Sequence, residues 1–354
     1  MGHTRETRGK TMKKVLFATS ALVLSAGFAS AEVALSGDGR MGMIYDGNDV
    51  QFSSRARVKF TLTGESDAGL SFGAAFRVDQ ENYNGNEYRS AARGSAGAIW
   101  ISGTYGKLSM GDVVSAAEQA IGDLYEVGYT DGSFAGDVEE IAYLTADGVN
   151  INQGPNILYE YTINNISLYA SASDGSDTDW FTTVGDDVDD ELDAESDQVA
   201  WSLAGKYEAE TWWVGLAYSK HDEAKEIVLG AEAKFNQFSV KGIYADYKNR
   251  GNIDIGGSNW SDEVAELNNT ANGYEMDKTL GLSAAYQLDA VLIEGFWRRD
   301  EFKTDVAAVE DKDFDSFGIG AEYDLGGGAV LAGGIVDTDY LNDTVVDAGI
   351  KFKF

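Results

Sequence analysis

The sequence predicts an all-β protein, a 16-stranded antiparallel transmembrane β-barrel. Three observations carry that prediction. Apolar and polar residues alternate with a period of two along most of the chain. Proline occurs once, at Pro155, in 354 residues that include 42 glycines. The connections between alternating segments fall into a short set and a long set. A period of two places every second side chain on one face of a strand. Proline removes a ladder donor and is excluded from central strands. Short turns at one end and long loops at the other are the plan of a bacterial membrane barrel. A sandwich has no reason to sort its connections by length.

The first 31 residues stand apart. Met1 to Thr11 read as an upstream extension of the reading frame. After Met12 come Lys13 and Lys14, a mostly apolar run from Val15 to Phe28, and the small residues Ala29-Ser30-Ala31. That order is a secretory signal peptide with cleavage near Ala31, and it leaves residues 32–354 as a single barrel. No later run approaches the roughly 20 apolar residues of a membrane helix. Cysteine is absent, so an exported chain must be stabilised without disulfides. The formal charge of the whole chain is −32. Removal of Arg5, Glu6, Arg8, Lys10, Lys13 and Lys14 with the leader leaves 22 basic and 58 acidic residues, a balance of −36. Such a surface excludes nucleic acid as a partner. High net charge often signals disorder, but 12% aromatic residues and sustained alternation oppose it.

Taken in order, the first segment carries Arg40 on the parity of Ser36 and Asp38. The second, VQFSSRARVKFTLTG, sets Phe52, Ala56, Val58, Phe60 and Leu62 against Arg55, Arg57 and Lys59. In the third, Arg77 opposes Phe72, Ala74, Phe76 and Val78. With the phenylalanines facing lipid, four arginines of three consecutive strands line one interior wall. Further on, Ile157, Tyr159, Tyr161 and Ile163 share a parity, as do Ile166, Leu168, Ala170 and Ala172. The same holds for Ile227 to Phe235, for Leu280 to Leu288 and for Phe317 to Leu325. About 16 such segments of roughly 9–11 residues fit the chain. Aromatics near the segment ends, Tyr45, Phe235, Phe238, Tyr286 and Tyr323, suit the lipid–water boundary. Short connections fall at Asp67-Ala68-Gly69, Asn164-Asn165, Asn236-Gln237, Asp289-Ala290 and Gly326-Gly327-Gly328. Long ones span 81–95, 113–156, 175–196, 249–273 and 303–312. The chain ends AGIKFKF, with Ile350, Phe352 and Phe354 toward lipid and Lys351 and Lys353 inward. In a closed barrel this last strand pairs with the first, and the terminal carboxylate is expected to meet Glu32.

The connection 113–156 is the longest; loops of that length in compact folds are usually functional or disordered, and Tyr125, Tyr129, Phe134 and Tyr143 speak against disorder. It bears Glu118, Asp123, Glu126, Asp131, Asp137, Glu139 and Glu140, and no basic residue. An acidic loop able to fold in against a basic interior wall forms opposed charge rings, which set what passes a pore.

These features resemble the general diffusion porins of Gram-negative bacteria, closest to the Rhodobacter-type porins of alphaproteobacteria. The matching stretches are LSGDGRMG (35–42), FSSRARV (52–58), GDLYEVGYTD (122–131), YDLGGG (323–328) and the closing KFKF. The resemblance implies a homotrimer of barrels in the outer membrane, whose third loop folds inward. It would sit among outer-membrane lipid and lipopolysaccharide and pass small hydrophilic solutes and ions with modest cation preference. The acidic side of the eyelet carries over to Glu118, Asp123, Glu126 and Asp131. The basic side carries over to Arg40, Arg55, Arg57 and Arg77. No cofactor is required, although such porins can bind calcium among loop carboxylates, for which Asp137, Glu139 and Glu140 are available. An enzyme is not expected. After the leader the one histidine is His221, there is no GxSxG, and metal-ligand spacing is absent. A substrate-specific channel or a surface adhesin barrel is the alternative; the seven tryptophans are scattered rather than arranged as a track.

Overall fold

The computed structural model describes residues 32–83, 87–89, 97–145, 156–173, 199–251 and 260–354. The leader and the loop at 175–196 therefore lie outside the described residues. Strands β1 (Glu32–Tyr45), β2 (Val50–Glu65), β3 (Ser71–Tyr83), β4 (Glu87–Arg89), β5 (Ala98–Gly103) and β6 (Gly106–Gly111) come first. The short helix α1 (Ala116–Ile121) follows. Next are β7 (Asn156–Ile163), β8 (Ile166–Ser173), β9 (Trp201–Glu208), β10 (Trp212–His221), β11 (Ala224–Phe235) and β12 (Phe238–Gly251). A second helix, α2 (Asp262–Leu267), precedes β13 (Tyr274–Leu288), β14 (Val291–Thr304), β15 (Lys312–Gly326), β16 (Ala329–Thr338) and β17 (Val345–Lys353).

Each strand pairs antiparallel with its neighbour in sequence, and β17 returns to β1 from Asp38↔Lys353 to Tyr45↔Val346. The short β4 pairs only with the end of β3, and the ladder continues from β3 to β5. Sixteen strands therefore close the barrel. Closure leaves no edge with unpaired backbone groups, which hydrocarbon would penalise. Phe354 exchanges two backbone hydrogen bonds with Gly37, of 2.8 and 3.3 Å. The terminus thus docks five residues beyond Glu32, which pairs instead with Thr63 of β2. The stagger between first and last strands that a tilted barrel requires accounts for the offset.

The apolar parity faces outward: Phe52 is 78% exposed, Leu216 56% and Ile319 58%. Water would penalise a continuous band of this kind, whereas a bilayer matches it. Tyr45, Phe235, Phe238, Tyr286 and Tyr323 all lie on that exposed face, as their parity required. Burial is concentrated inside, where residues 115–145 pack on inward-facing wall residues such as Val228, Ile243 and Phe296. At the long-loop end, α2 buries Val264 and Leu267.

Candidate functional site

The loop after β6 begins as a capped helix. Ser115 accepts the Glu118 amide at 3.2 Å, and Gly122 ends the helix with a positive φ of 64°. Two amides of its first turn donate to wall hydroxyls, Ala116 to Ser171 of β8 at 2.8 Å and Ala117 to Ser202 of β9 at 3.1 Å. These are amides that no intrahelical bond satisfies. The chain then runs round the inner wall. The Lys241 ammonium of β12 donates to the Asp123 carbonyl. Leu124 lies over Gly281 of β13, where a Cβ would come within 2.8 Å of the leucine Cδ1 and force its side chain to shift.

The far end of the loop is held by Asp347 of β17. Its carboxylate accepts the Tyr129 amide at 3.2 Å, the Thr130 amide at 2.9 Å and the Thr130 hydroxyl at 2.7 Å. It also accepts the Gly334 amide at 2.9 Å. Gly128, with φ of 89°, would place a Cβ 2.3 Å from this carboxylate. Arg40 of β1 donates to the Thr130 carbonyl at 2.5 Å and to the Ser133 hydroxyl at 3.2 Å. The return limb is held by arginines. Arg298 of β14, itself fixed on Asp300 at 2.9 Å, donates to the carbonyls of Val138 and Glu140. Arg250 of β12 donates to the Ala142 carbonyl, and Glu226 of β11 accepts the Leu144 amide at 3.2 Å.

Of the residues assigned to a charged constriction, some converge and others do not. Arg40, Arg55, Glu126 and Asp131 line one cavity of about 350 Å³, together with Asp38, Glu322, Lys351 and Lys353. Asp131 lies 3.8 Å from Arg40 and 2.9 Å from Lys351. Arg55 and Arg57 take carboxylates from the wall itself, Asp38 at 3.5 Å and Asp79 at 3.1 Å. Arg77 shares Asp79 at 2.7 Å. Glu118 sits on α1 against β8 to β10, and the Asp123 carboxylate turns back to accept the Ile141 amide at 2.7 Å. Those two acids therefore do not join the cluster around Asp131.

Charge on the loop is compressed. Glu126 is open to the lumen by surface area, yet protein crowds it from the loop side. Desolvation, then the charges of Asp131, Asp123 and Asp137, push its carboxyl up to about 7. Glu140, also desolvated and beside Asp137, rises to about 7. Glu139 is fully buried, and neither of its oxygens meets a donor among the described residues. Burial first, and then Asp137 and Glu126, push it up to about 9. Among the described residues no three His, Cys, Asp or Glu side chains converge in a manner that could hold a metal. A carboxyl held neutral, as burial holds Glu139, is a poor cation ligand.

Sequence reading overlooked the wall groups that hold the loop: Asp347, Glu226, Arg250, Arg298 and Asp300. Asp347, Glu226, Arg298 and Asp300 are charged residues on the inward parity of their strands, and that was the available signal; Arg250 turns inward only through the irregularity between Asp246 and Arg250 in β12, which parity does not show.

A profile of the Gram-negative porin family matches residues 18–343. The chain belongs to that family. It is 37% identical to a porin of Rhodobacter capsulatus over 333 residues, 91% of this chain and the whole of the relative. A porin of Fuscovulum blasticum is 28% identical, again over 91% of this chain and all of the relative. A porin structure refined at 1.8 Å superposes with a TM-score of 0.71 at 35% identity, covering 91% of this chain and all of the other. A mutant of Rh. blastica porin, 23% identical with a TM-score of 0.59 and the same coverage, shares the fold. Family and barrel together make this a channel protein of the Gram-negative outer membrane, not an enzyme. The expected all-β barrel and family both hold.

Proposed function

We propose that this chain is a general diffusion porin. Small hydrophilic solutes and ions pass an eyelet with Arg40, Arg55, Arg57 and Arg77 on its basic side. Glu126 and Asp131 form the acidic side, and Glu118 and Asp123 stand earlier in the loop. The observation that supports the reading is one cavity lined both by the wall residues Arg40 and Arg55 and by the loop residues Glu126 and Asp131. Fixed charges of opposite sign across a gap create a transverse field, which orients dipolar solutes and penalises apolar ones. A modest cation preference follows from the acidic loop and the acidic whole. The working form is a homotrimer, released from its leader near Ala31 and set among outer-membrane lipid and lipopolysaccharide. No cofactor takes part. Calcium near Asp137, Glu139 and Glu140 would require those carboxylates to regroup, and equilibrium dialysis against calcium tests it. Single-channel recording in planar bilayers tests the main reading. Conductance is expected in groups of three equal steps. Folded protein that conducts nothing overturns the reading, and saturation by one solute would favour a specific channel.

A further inference from the structure

Three lysines stand in a row on the outward face at the loop-side rim of β10, β11 and β12. Lys220 lies directly across from Lys225, and Lys225 directly across from Lys248. Their parity is that of exposed apolar residues: Leu216 and Tyr218 precede Lys220, Ile227 and Leu229 follow Lys225, and Tyr244 precedes Lys248. Opposed residues in such a ladder are about 5 Å apart. The three ammonium-bearing positions thus span about 10 Å, and like charges placed this way repel.

Among the described residues nothing neutralises this row: no carboxylate forms an ion pair with Lys220, Lys225 or Lys248. On the adjoining outward rim the opposite holds: Lys278 and Lys303 both rest on Asp277, at 3.3 and 2.6 Å. Among the described residues, the acids close to the row along the chain are Asp222 and Glu223 in the β10–β11 turn, which are exposed, and Asp246, which accepts the Tyr244 hydroxyl at 3.3 Å. In so acidic a protein, three stacked cations without carboxylate partners call for an anion from outside. Their height identifies it. Trp201 of β9 lies opposite Lys220 and packs on Tyr218 with ring centroids 5.5 Å apart. Trp and Tyr of this kind mark the boundary between hydrocarbon and headgroups. Lys220 is two residues beyond Tyr218, about 7 Å further out, at headgroup level. The row faces away from the lumen, so it does not contact permeating solutes.

We propose that Lys220, Lys225 and Lys248 form a docking surface for the phosphate groups of outer-leaflet lipid headgroups. Acyl chains of the bound lipid would lie on Leu216, Ile227 and Leu229 below, and its phosphates would relieve the repulsion in the ladder. The inference rests on the outer-membrane porin reading. Conductance tests that reading independently of lipid binding.

The test uses the full folded protein in detergent, with bisphosphoryl lipid A and its dephosphorylated form as probes and native mass spectrometry as readout. The parent is expected to retain the bisphosphoryl form about tenfold or more tightly than the dephosphorylated one, with the difference shrinking at high salt. The triple variant K220Q/K225Q/K248Q should lose that preference, while K278Q/K303Q should keep it. Unchanged channel conductance and heat-modifiability on gels would show that both variants fold. Equal retention of the two lipids by the parent, or an undiminished preference in the triple variant, overturns the proposal. Parent protein measured alone keeps the test decisive should the triple variant fail to fold.

Discussion

Glu139 shows how a single side chain can make this loop depend on pH. Its carboxyl is buried without a partner and titrates at about 9, against 4.5 for an unperturbed glutamate. Between about pH 4.5 and 9 the folded chain keeps a proton that the unfolded chain has released. Stability therefore falls as pH rises through that window, and is unaffected by this group below it. Glu139→Gln is neutral at every pH and of the same shape. Its thermal midpoint should match the parent's near pH 5 and exceed it increasingly toward pH 9. A constant difference across that range would refute the assignment. On the inward face of β2, Arg55 and Arg57 lie two residues apart, about 6–7 Å, with Asp38 and Asp79 beside them. Replacing both arginines by Ser should widen the aperture, raise cation preference and speed entry of larger solutes, because four fixed charges become two negative ones. Wild-type selectivity and size cut-off in a folded double variant would reduce the arginines to a solvated face.

At the scale of elements, the strands were legible and the loop's course was not. A strand declares itself locally: in β2 the alternation of Phe52, Val58 and Leu62 with Arg55 and Arg57 fixes both its existence and its faces. The loop's path depends on partners far away in sequence. Nothing near Thr130 announces Asp347, and nothing near Val138 announces Arg298. That is why Glu118 and Asp123 looked as suitable for the constriction as Glu126 and Asp131. Charge and loop membership are visible in sequence, but not which acids the latches turn toward Arg40. The Asp347 latch yields its own prediction. Asp347→Asn keeps the volume but turns an amide NH₂ toward donors, leaving about two buried donors unmatched at about 1–3 kcal/mol each. The barrel should persist, since the strand ladder is untouched. The loop should loosen, seen as greater open-channel current noise and faster proteolytic nicking between residues 123 and 141. A channel as quiet as the parent would show that Arg40, Arg250 and Arg298 hold the loop unaided.

For the whole molecule the decisive quantity is charge. The chain carries a formal −32, and its cations are largely engaged at short range: Arg57 and Arg77 on Asp79, Lys351 on Asp131 and Glu322, Lys312 on Glu263 and Glu266. A paired cation contributes little field at a distance, so the surplus carboxylates dominate the potential at the mouths. That potential concentrates cations before they reach the eyelet. Salt screens it over roughly 10 Å at 0.1 M and roughly 3 Å at 1 M, whereas the eyelet's own charges act at contact range and are screened far less. Reversal potentials across a KCl gradient should therefore show cation preference that is strongest at low salt and declines toward a smaller, salt-insensitive remainder set by Arg40, Arg55, Glu126 and Asp131. Lowering the pH from about 8 to about 6 should reduce that remainder, because Glu126 and Glu140, both at about 7, take up protons over that range. Glu126→Gln should remove part of the pH response while leaving the salt-dependent part intact. Anion preference at low salt would contradict the argument at its base, since it would mean that the wall arginines, not the acidic surface, govern entry.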